Sequence, residues 1–273
     1  MNGLEFLTLG IGLAAGFFIG KRKFDNSKIK KVMHREFPFE WEKILRNNVA
    51  LYKHIPHNMK TQLHEDINVF MDEKNFEGCG GLEITEEIKI SIAAQACILL
   101  LNKKVNFFPK LVTILVYPSA YVGKKVTMMG GVPVEEDSAR LGESWNEGTV
   151  VLAWDHVKQE TFDINNAHNV VLHEFAHQLD QEDGVADGAP IMEHRASYAP
   201  WAKVLSEEYD DFLEKVKHHK KDIIDPYGAT NPAEFFAVIT EVFFKKPKQL
   251  KSKHPELYHE LSSYYKMDPV EWY

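Results

Sequence analysis

The sequence contains little cysteine and no excess of positive charge, and each absence excludes a class of protein. Two cysteines, Cys79 and Cys97, are too few for a disulfide framework, and neither belongs to a CxxC metal-binding pair. With 32 basic and 40 acidic residues, the formal net charge is −8. The chain therefore lacks the basic character of a nucleic-acid-binding protein, and nucleic acid is excluded as a partner.

Internal repeats and low-complexity tracts are absent as well. The chain has 273 residues, of which 44% are apolar and 26% are charged. This composition is typical of a soluble globular protein, and the length is sufficient for one sizeable domain with its own core.

The first twenty residues differ in composition from the rest. Residues 6–20 read FLTLGIGLAAGFFIG without a charge, and the basic residues Lys21–Lys23 follow directly. A membrane span needs about 20 apolar residues, whereas a cleaved signal peptide carries its basic residues before the apolar run. The positive-inside rule then places the body of the chain on the cytoplasmic side. We expect residues 1–24 to anchor the chain at the cytoplasmic face of the cell membrane. A cleaved signal, a buried hairpin and a cytoplasmic location are the alternatives.

The body of the chain is predicted to be an α+β domain, mainly helical with a small mixed β-sheet. Residues 25–36 are predicted to be a basic linker and residues 37–273 to be the domain. Strand character at 111–118 and 149–154 brackets a loop-rich stretch that can hold a hairpin. Residues Thr149–Trp154 are either an edge strand that pairs with an extended peptide or an internal core strand. Apolar spacing predicts helices at about 41–51, 57–70, 85–101, 166–181, 200–219, 232–244 and 254–264.

The strongest functional signal is the sequence HEFAH at residues 173–177. His173 and His177 are four residues apart, so they lie one turn apart on one helix face and can both bind a single Zn²⁺ ion. Glu174 is rotated by about 100° from His173, where its carboxylate can take a proton from a water whose pKa the metal has lowered. Asn165 or Asn166 is expected to cap this helix.

A catalytic zinc ion needs a third protein ligand and an open position for water. Glu234 follows the predicted cap Asn231 by three residues, so its carboxylate can either bind the metal or cap the helix start. Glu241 is seven residues further on the same face, either behind the ligands or at the surface. Tyr227 can donate a hydrogen bond to a reaction intermediate or simply pack as an aromatic side chain.

Two interpretations of the residues around the motif remain open. Asp180 lies on the same face as His177, where it can orient an imidazole. A fourth protein ligand would close the coordination shell, and the zinc site would then be structural rather than catalytic.

Several stretches resemble a known family. HNVVLHEFAHQLD, PYGATNPAEFFAVITEVFF and GESWNEGTVVLAWDHV resemble the Mlc titration factor A family of bacterial zinc peptidases, and the likeness runs from about Phe37 to Tyr273. The catalytic core of that family is similar to the anthrax lethal factor peptidase domain, which implies a zincin-like fold. The resemblance implies one zinc ion held by the ligands His173, His177 and Glu234. It also implies Glu174 as general base and Tyr227 as the residue that stabilises the transition state.

The resemblance further implies aminopeptidase-like hydrolysis of a peptide substrate. The resemblance also implies binding to the glucose-responsive repressor Mlc, as in some members of the family. A regulatory protein that sequesters such a repressor, with hydrolysis secondary, is therefore the alternative function. The enterobacterial members are soluble cytosolic proteins, and the apolar segment at 6–20 departs from that pattern.

The predicted anchor can be tested by cell fractionation. The full-length chain should sediment with membranes and resist a high-salt wash, because an inserted apolar segment is not released by screening of surface charge. A form that lacks residues 1–24 should remain in the soluble fraction. Recovery of the full-length chain in the soluble fraction would contradict the anchor.

Overall fold

The structure is a computed structural model that describes residues 27–103, 107–129, 132–140, 142–145 and 148–273. The predicted membrane anchor, residues 1–24, lies outside the described residues. Within the described ranges, none of the helices combines the length and the apolar composition that crossing a membrane requires.

Helices make up most of the described chain. The seven predicted helical regions are confirmed, although the first of them is broken after Asn48. The helices are α1 at 27–33, α2 at Phe39–Asn48, α3 at Ala50–His54, α4 at His57–Glu73, α5 at Glu86–Ile98, α6 at Trp154–Phe162, α7 at Val170–Asp180, α8 at Tyr198–Lys217, α9 at Pro232–Lys245, α10 at Pro247–Lys253 and α11 at Pro255–Tyr265.

Three of these helices, α1, α6 and α10, lie where the sequence predicted no helix. Helix α6 begins directly at the end of a strand, and its N-cap residue Ala153 makes no side-chain hydrogen bond, so the sequence lacks a start signal there. Helix α1 lies within the segment predicted as a linker. Val32 of α1 is buried in the core, and Lys28 Nζ is 2.9 Å from Asp72 of α4. This part of the segment therefore packs against the domain.

The strands form a four-stranded mixed sheet and a hairpin, which confirms the α+β class. The strands are β1 at Asn75–Gly78, β2 at Thr113–Tyr117, β3 at Tyr121–Met129, β4 at Val132–Arg140, β5 at Gly142–Trp145 and β6 at Thr149–Ala153. The sheet order is β1-β2-β6-β5, where β1, β2 and β6 are parallel and β5 is antiparallel to β6. Strands β3 and β4 form an antiparallel hairpin between the two predicted strands.

Strand β6 is internal, so of the two interpretations of Thr149–Trp154 the structure supports the internal core strand and not the edge strand. It pairs with β2 on one side and with β5 on the other. Four consecutive residues, Val150–Ala153, are buried, which is typical of a strand that is covered on both faces. The backbone groups of β6 are therefore already paired within the sheet.

Helices α5, α7 and α9 form the interior of the domain. Helix α5 begins at the cap Thr85, whose hydroxyl accepts a hydrogen bond from Ile88 N at 3.3 Å, and it is buried from Ile90 to its end. Helix α9 contributes Phe235, Phe236, Phe243 and Phe244, which are at most 1% exposed. Full burial of such a side chain stabilises the fold by roughly 1.5–3 kcal/mol. Helices this deeply packed form a rigid support for side chains between them.

Gly188 joins the segment after α7 to both α8 and α9. Its N–H donates to Asp180 Oδ2 at 3.0 Å, and its carbonyl accepts from Trp201 Nε1 at 3.1 Å. Its backbone φ angle is +79°, a value that residues with a side chain rarely adopt. A Cβ atom at this position would lie 2.6 Å from the carbonyl oxygen of Pro232, the first residue of α9. Only glycine allows this close approach.

Gly188→Ala should destabilise the protein more than Gly81→Ala. Both residues have a positive φ, +79° and +82°, but a Cβ atom at Gly81 would meet nothing within 4 Å. Backbone strain alone should lower the free energy of unfolding by about 1–2 kcal/mol at Gly81. The clash with Pro232 should add a further ~1–3 kcal/mol at Gly188. Equal losses for the two variants in urea unfolding would contradict this account.

Candidate metal centre

The HEFAH sequence lies on α7, and Asn169 caps this helix. The Asn169 side-chain oxygen accepts a hydrogen bond from Leu172 N at 3.0 Å. The prediction of a cap at Asn165 or Asn166 is wrong, because Asn166 instead accepts from His168 N in a turn that precedes the helix. The cap, Asn169, is therefore three residues later in the chain than Asn166, the nearer of the two predicted caps.

The structure brings His173, His177 and Glu234 together. Glu234 Oε2 lies 3.0 Å from His173 Nε2 and 3.3 Å from His177 Nε2. The three ligand atoms all lie within 4.8 Å of one another. Among the residues that the structure describes, no fourth His, Cys, Asp or Glu atom joins this group. The arrangement therefore has three donors, as expected for a site with an open position rather than a closed one.

These distances fit a tetrahedral zinc ion. Two ligand atoms that each lie about 2.0–2.1 Å from such an ion are about 3.3 Å apart, close to both measured separations. The charges fit as well, since Glu174, Glu234 and Glu241 surround two imidazoles that are neutral when they bind a metal. Such a cluster of buried or half-buried carboxylates requires a compensating cation.

Glu241 holds the opposite side of the His173 ring. The Glu241 side chain is buried, and its Oε1 lies 2.8 Å from His173 Nδ1 while its Oε2 accepts from the backbone N–H of Asn169. An ionised carboxylate only accepts hydrogen bonds, so the proton is on Nδ1 of His173. In the neutral ring that binds a metal ion, the lone pair is then on Nε2, which faces Glu234 and His177. Glu241 therefore orients a candidate ligand, as the sequence left open, and does not lie at the surface.

The carboxylates of Glu234 and Glu241 also control the protonation of His173. Burial alone would lower the pKa of His173, but hydrogen bonds to Glu234 and Glu241 raise this pKa well above its ordinary value. Burial alone would raise the pKa of Glu234, but hydrogen bonds to His173 and His177 hold it well below the usual range. A proton on the imidazole thus compensates the carboxylates where a metal ion would otherwise do so.

Glu234 occupies the position at which the sequence allowed either ligation or capping. Its backbone N–H donates to Asn231 Oδ1 at 2.9 Å, so Asn231 caps α9 as expected. The Glu234 carboxylate oxygen Oε2 points at the two imidazoles. The geometry therefore favours ligation for Glu234.

Tyr227 and Glu174 both lie near the candidate ligands. Tyr227 is on a short 3-10 turn, Pro226–Ala229, and its ring centroid is 6.0 Å from that of His173. Burial, together with the nearby Glu234 and Glu174 carboxylates, raises the pKa of Tyr227 to about 12. Its hydroxyl therefore keeps its proton at neutral pH and can donate it in a hydrogen bond. Glu174 is buried on α7, and its negative charge acts on both His173 and Tyr227.

Asp180 does not orient an imidazole by a hydrogen bond. Its Oδ2 accepts from Gly188 N, which ties the end of α7 to the following segment. Burial raises the pKa of Asp180 to about 6. The other oxygen, Oδ1, has no hydrogen-bond partner within the described structure, so the structure does not support the open interpretation that Asp180 orients an imidazole by a hydrogen bond.

The sequence model of the glucose-regulated metallo-peptidase M90 family matches residues 22–266. The chain belongs to this family. Membership makes the protein a metallopeptidase and implies a metal ion. His173, His177 and Glu234 provide a set of donors that fits such an ion.

Relatives of this metallopeptidase are found in several bacteria. An uncharacterized protein of Synechocystis sp. is 38% identical over 266 residues, which cover 97% of this chain and 96% of that protein. Mlc titration factor A of Klebsiella pneumoniae is 29% identical over 234 residues, covering 84% and 86% of the two chains. Mlc titration factor A of Pectobacterium atrosepticum is 30% identical over 205 residues, covering 74% and 76%. The match to the Synechocystis protein is long enough to include part of the apolar segment at 6–20.

Proposed function

We propose that the protein is a zinc-dependent peptidase, in which His173, His177 and Glu234 hold one zinc ion and Glu174 acts as general base. The observation that carries the proposal is the convergence of the two imidazoles and the Glu234 carboxylate at tetrahedral ligand spacing. The aminopeptidase-like preference is taken from the family resemblance of the sequence. A bound zinc ion supplies Lewis-acid chemistry, because it polarises a carbonyl oxygen and lowers the pKa of water toward about 7.

The protein side chains then move the protons and orient the groups. Glu174 takes a proton from the attacking water, and its carboxyl later gives a proton to the amine nitrogen as the peptide C–N bond breaks. The Tyr227 hydroxyl donates a hydrogen bond to the oxyanion that forms from the peptide carbonyl. Glu241 holds the His173 ring in one tautomer throughout. Tyr227 performs its role in the protonated form that its surroundings favour.

Glu174→Gln should retain the metal and lose turnover. The amide cannot accept the proton of the attacking water, so kcat/KM on aminoacyl or peptide chromogenic substrates should fall by at least ~100-fold. Metal analysis should still give one zinc ion per chain. Glu256→Gln, at an exposed position of α11, is the matched control and should behave like the wild type.

Tyr227→Phe, assayed in the same way, separates the proposed role of Tyr227 from that of Glu174. Tyr227→Phe should lower kcat by ~10²–10³-fold with little change in KM, because the hydroxyl acts on the oxyanion and not on the bound substrate. Wild-type rates for Glu174→Gln would refute the general-base role. Wild-type kcat for Tyr227→Phe would leave its ring with a packing role only.

Repressor sequestration is the second candidate function. It is favoured by the name Mlc titration factor A, which several relatives carry. Capture of a repressor requires a binding surface and no hydrolysis, so this function should survive the loss of the general base. The apolar segment at 6–20 would then hold the complex at the cytoplasmic face of the membrane.

Binding of purified Mlc repressor to the immobilised protein tests this function. We expect equal dissociation constants for the wild type and Glu174→Gln, measured by biolayer interferometry, if sequestration does not depend on catalysis. The wild type and Glu174→Gln are compared on the same sensor, with Glu256→Gln as the control. No measurable binding by any of the three proteins would exclude the sequestration of this repressor.

A further inference from the structure

A chain of buried hydrogen bonds runs from the candidate metal centre into the middle of the domain. It reaches Gln95 on α5, a side chain with 0% exposure in the stretch Ile90–Ile98, where Ser91 is the one other polar residue. A buried amide is costly unless all of its donors and acceptors are paired, and an apolar residue of similar size would avoid that cost. The presence of glutamine at this position therefore needs a physical reason.

Every polar group of the Gln95 side chain has a partner. Its Oε1 accepts from Asn169 Nδ2. Its Nε2 donates to Thr161 Oγ1 on α6 at 2.7 Å and to the carbonyl oxygen of Ser91 at 3.1 Å. Thr161 in turn donates to the carbonyl oxygen of Val157. Gln95 thus links three helices, α5, α6 and the start of α7.

The direction of these hydrogen bonds is determined by the helix cap. Asn169 Oδ1 accepts from Leu172 N, so Asn169 must present its Nδ2 group to α5. Gln95 must then offer its oxygen to Asn169 and its nitrogen to Thr161. Neither amide can be reversed without leaving a donor facing a donor or an acceptor facing an acceptor.

Asn169 connects these hydrogen bonds to the metal centre. Its backbone N–H donates to Glu241 Oε2, and Glu241 Oε1 binds His173 Nδ1. We propose that Gln95 is a positioning residue of the metal centre, which holds Asn169 in place so that Glu241 orients the His173 ring toward the ion. This inference rests on the proposed function, because it takes His173 as a ligand. Gln95 itself touches neither the ligand atoms nor a substrate.

A double-mutant cycle in metal affinity tests the link. Gln95→Met keeps the side-chain length and removes the acceptor for Asn169. Asn169→Ser keeps an oxygen that can cap α7 and removes the donor to Gln95. Ser91→Ala is the matched control, because Ser91 is buried one turn earlier on α5 and its hydroxyl makes no hydrogen bond within the described structure.

Zinc affinity is measured by competition with a chelator, and the visible spectrum of the Co²⁺-loaded protein reports ligand geometry. We expect each single substitution to weaken zinc binding by ~10-fold and to shift the Co²⁺ bands. The double variant should bind zinc with the same affinity as the single variant that binds it less tightly, because both substitutions break the same link. Ser91→Ala should bind zinc with wild-type affinity and give the wild-type spectrum.

Wild-type zinc affinity and spectrum for both Gln95→Met and Asn169→Ser would overturn the inference, as would fully additive losses. If circular dichroism shows that Gln95→Met is unfolded, the affinity and spectrum of Asn169→Ser decide in the same way. These readouts use no substrate, so they separate the two proposals. A wild type that binds zinc but cleaves no peptide refutes the proposed function while the affinities still decide the role of Gln95. A wild type that binds no zinc overturns both.

Discussion

The contact between two imidazoles of α7 and two carboxylates of α9 is the constraint on which the centre depends. His173 lies between Glu234 on one ring nitrogen and Glu241 on the other. Glu234 also reaches His177, so one carboxylate oxygen is shared by both rings. Removal of water from these charged groups is unfavourable unless a positive charge lies among them. A metal ion or a proton on His173 must provide that charge.

The surrounding fold makes this contact rigid on one side and open on the other. The candidate ligands are carried by α7 and α9, which are buried along most of their length and capped by Asn169 and Asn231. Tyr227 lies instead on a short 3-10 turn, where the residue is 56% exposed. Asp225 fixes that turn by accepting from Tyr227 N at 2.8 Å. The interior therefore provides the proposed metal ligands, and the solvent side provides the hydroxyl that a substrate would meet.

Much of the fold could be predicted because long helices carry a periodic apolar pattern. The regions that became α4, α5, α7, α8, α9 and α11 were all identified by this spacing. The short elements β1 and β5 were missed, since each has only four residues and no apolar run. The α7 cap was misassigned because three asparagines occur within five residues, and only the tertiary structure selects Asn169.

The sequence by itself determined what depends on local geometry. A spacing of four residues places His173 and His177 on one face of α7, and a spacing of seven places Glu234 and Glu241 on one face of α9. The tertiary structure alone decided which carboxylate meets which nitrogen, that Asp180 turns toward Gly188, and that Gln95 lies behind the centre. The reason is that helical periodicity is set by neighbouring residues. The contacts of His173 with Glu234 and Glu241 instead join residues 61 and 68 positions apart, and their distance depends on how whole helices pack.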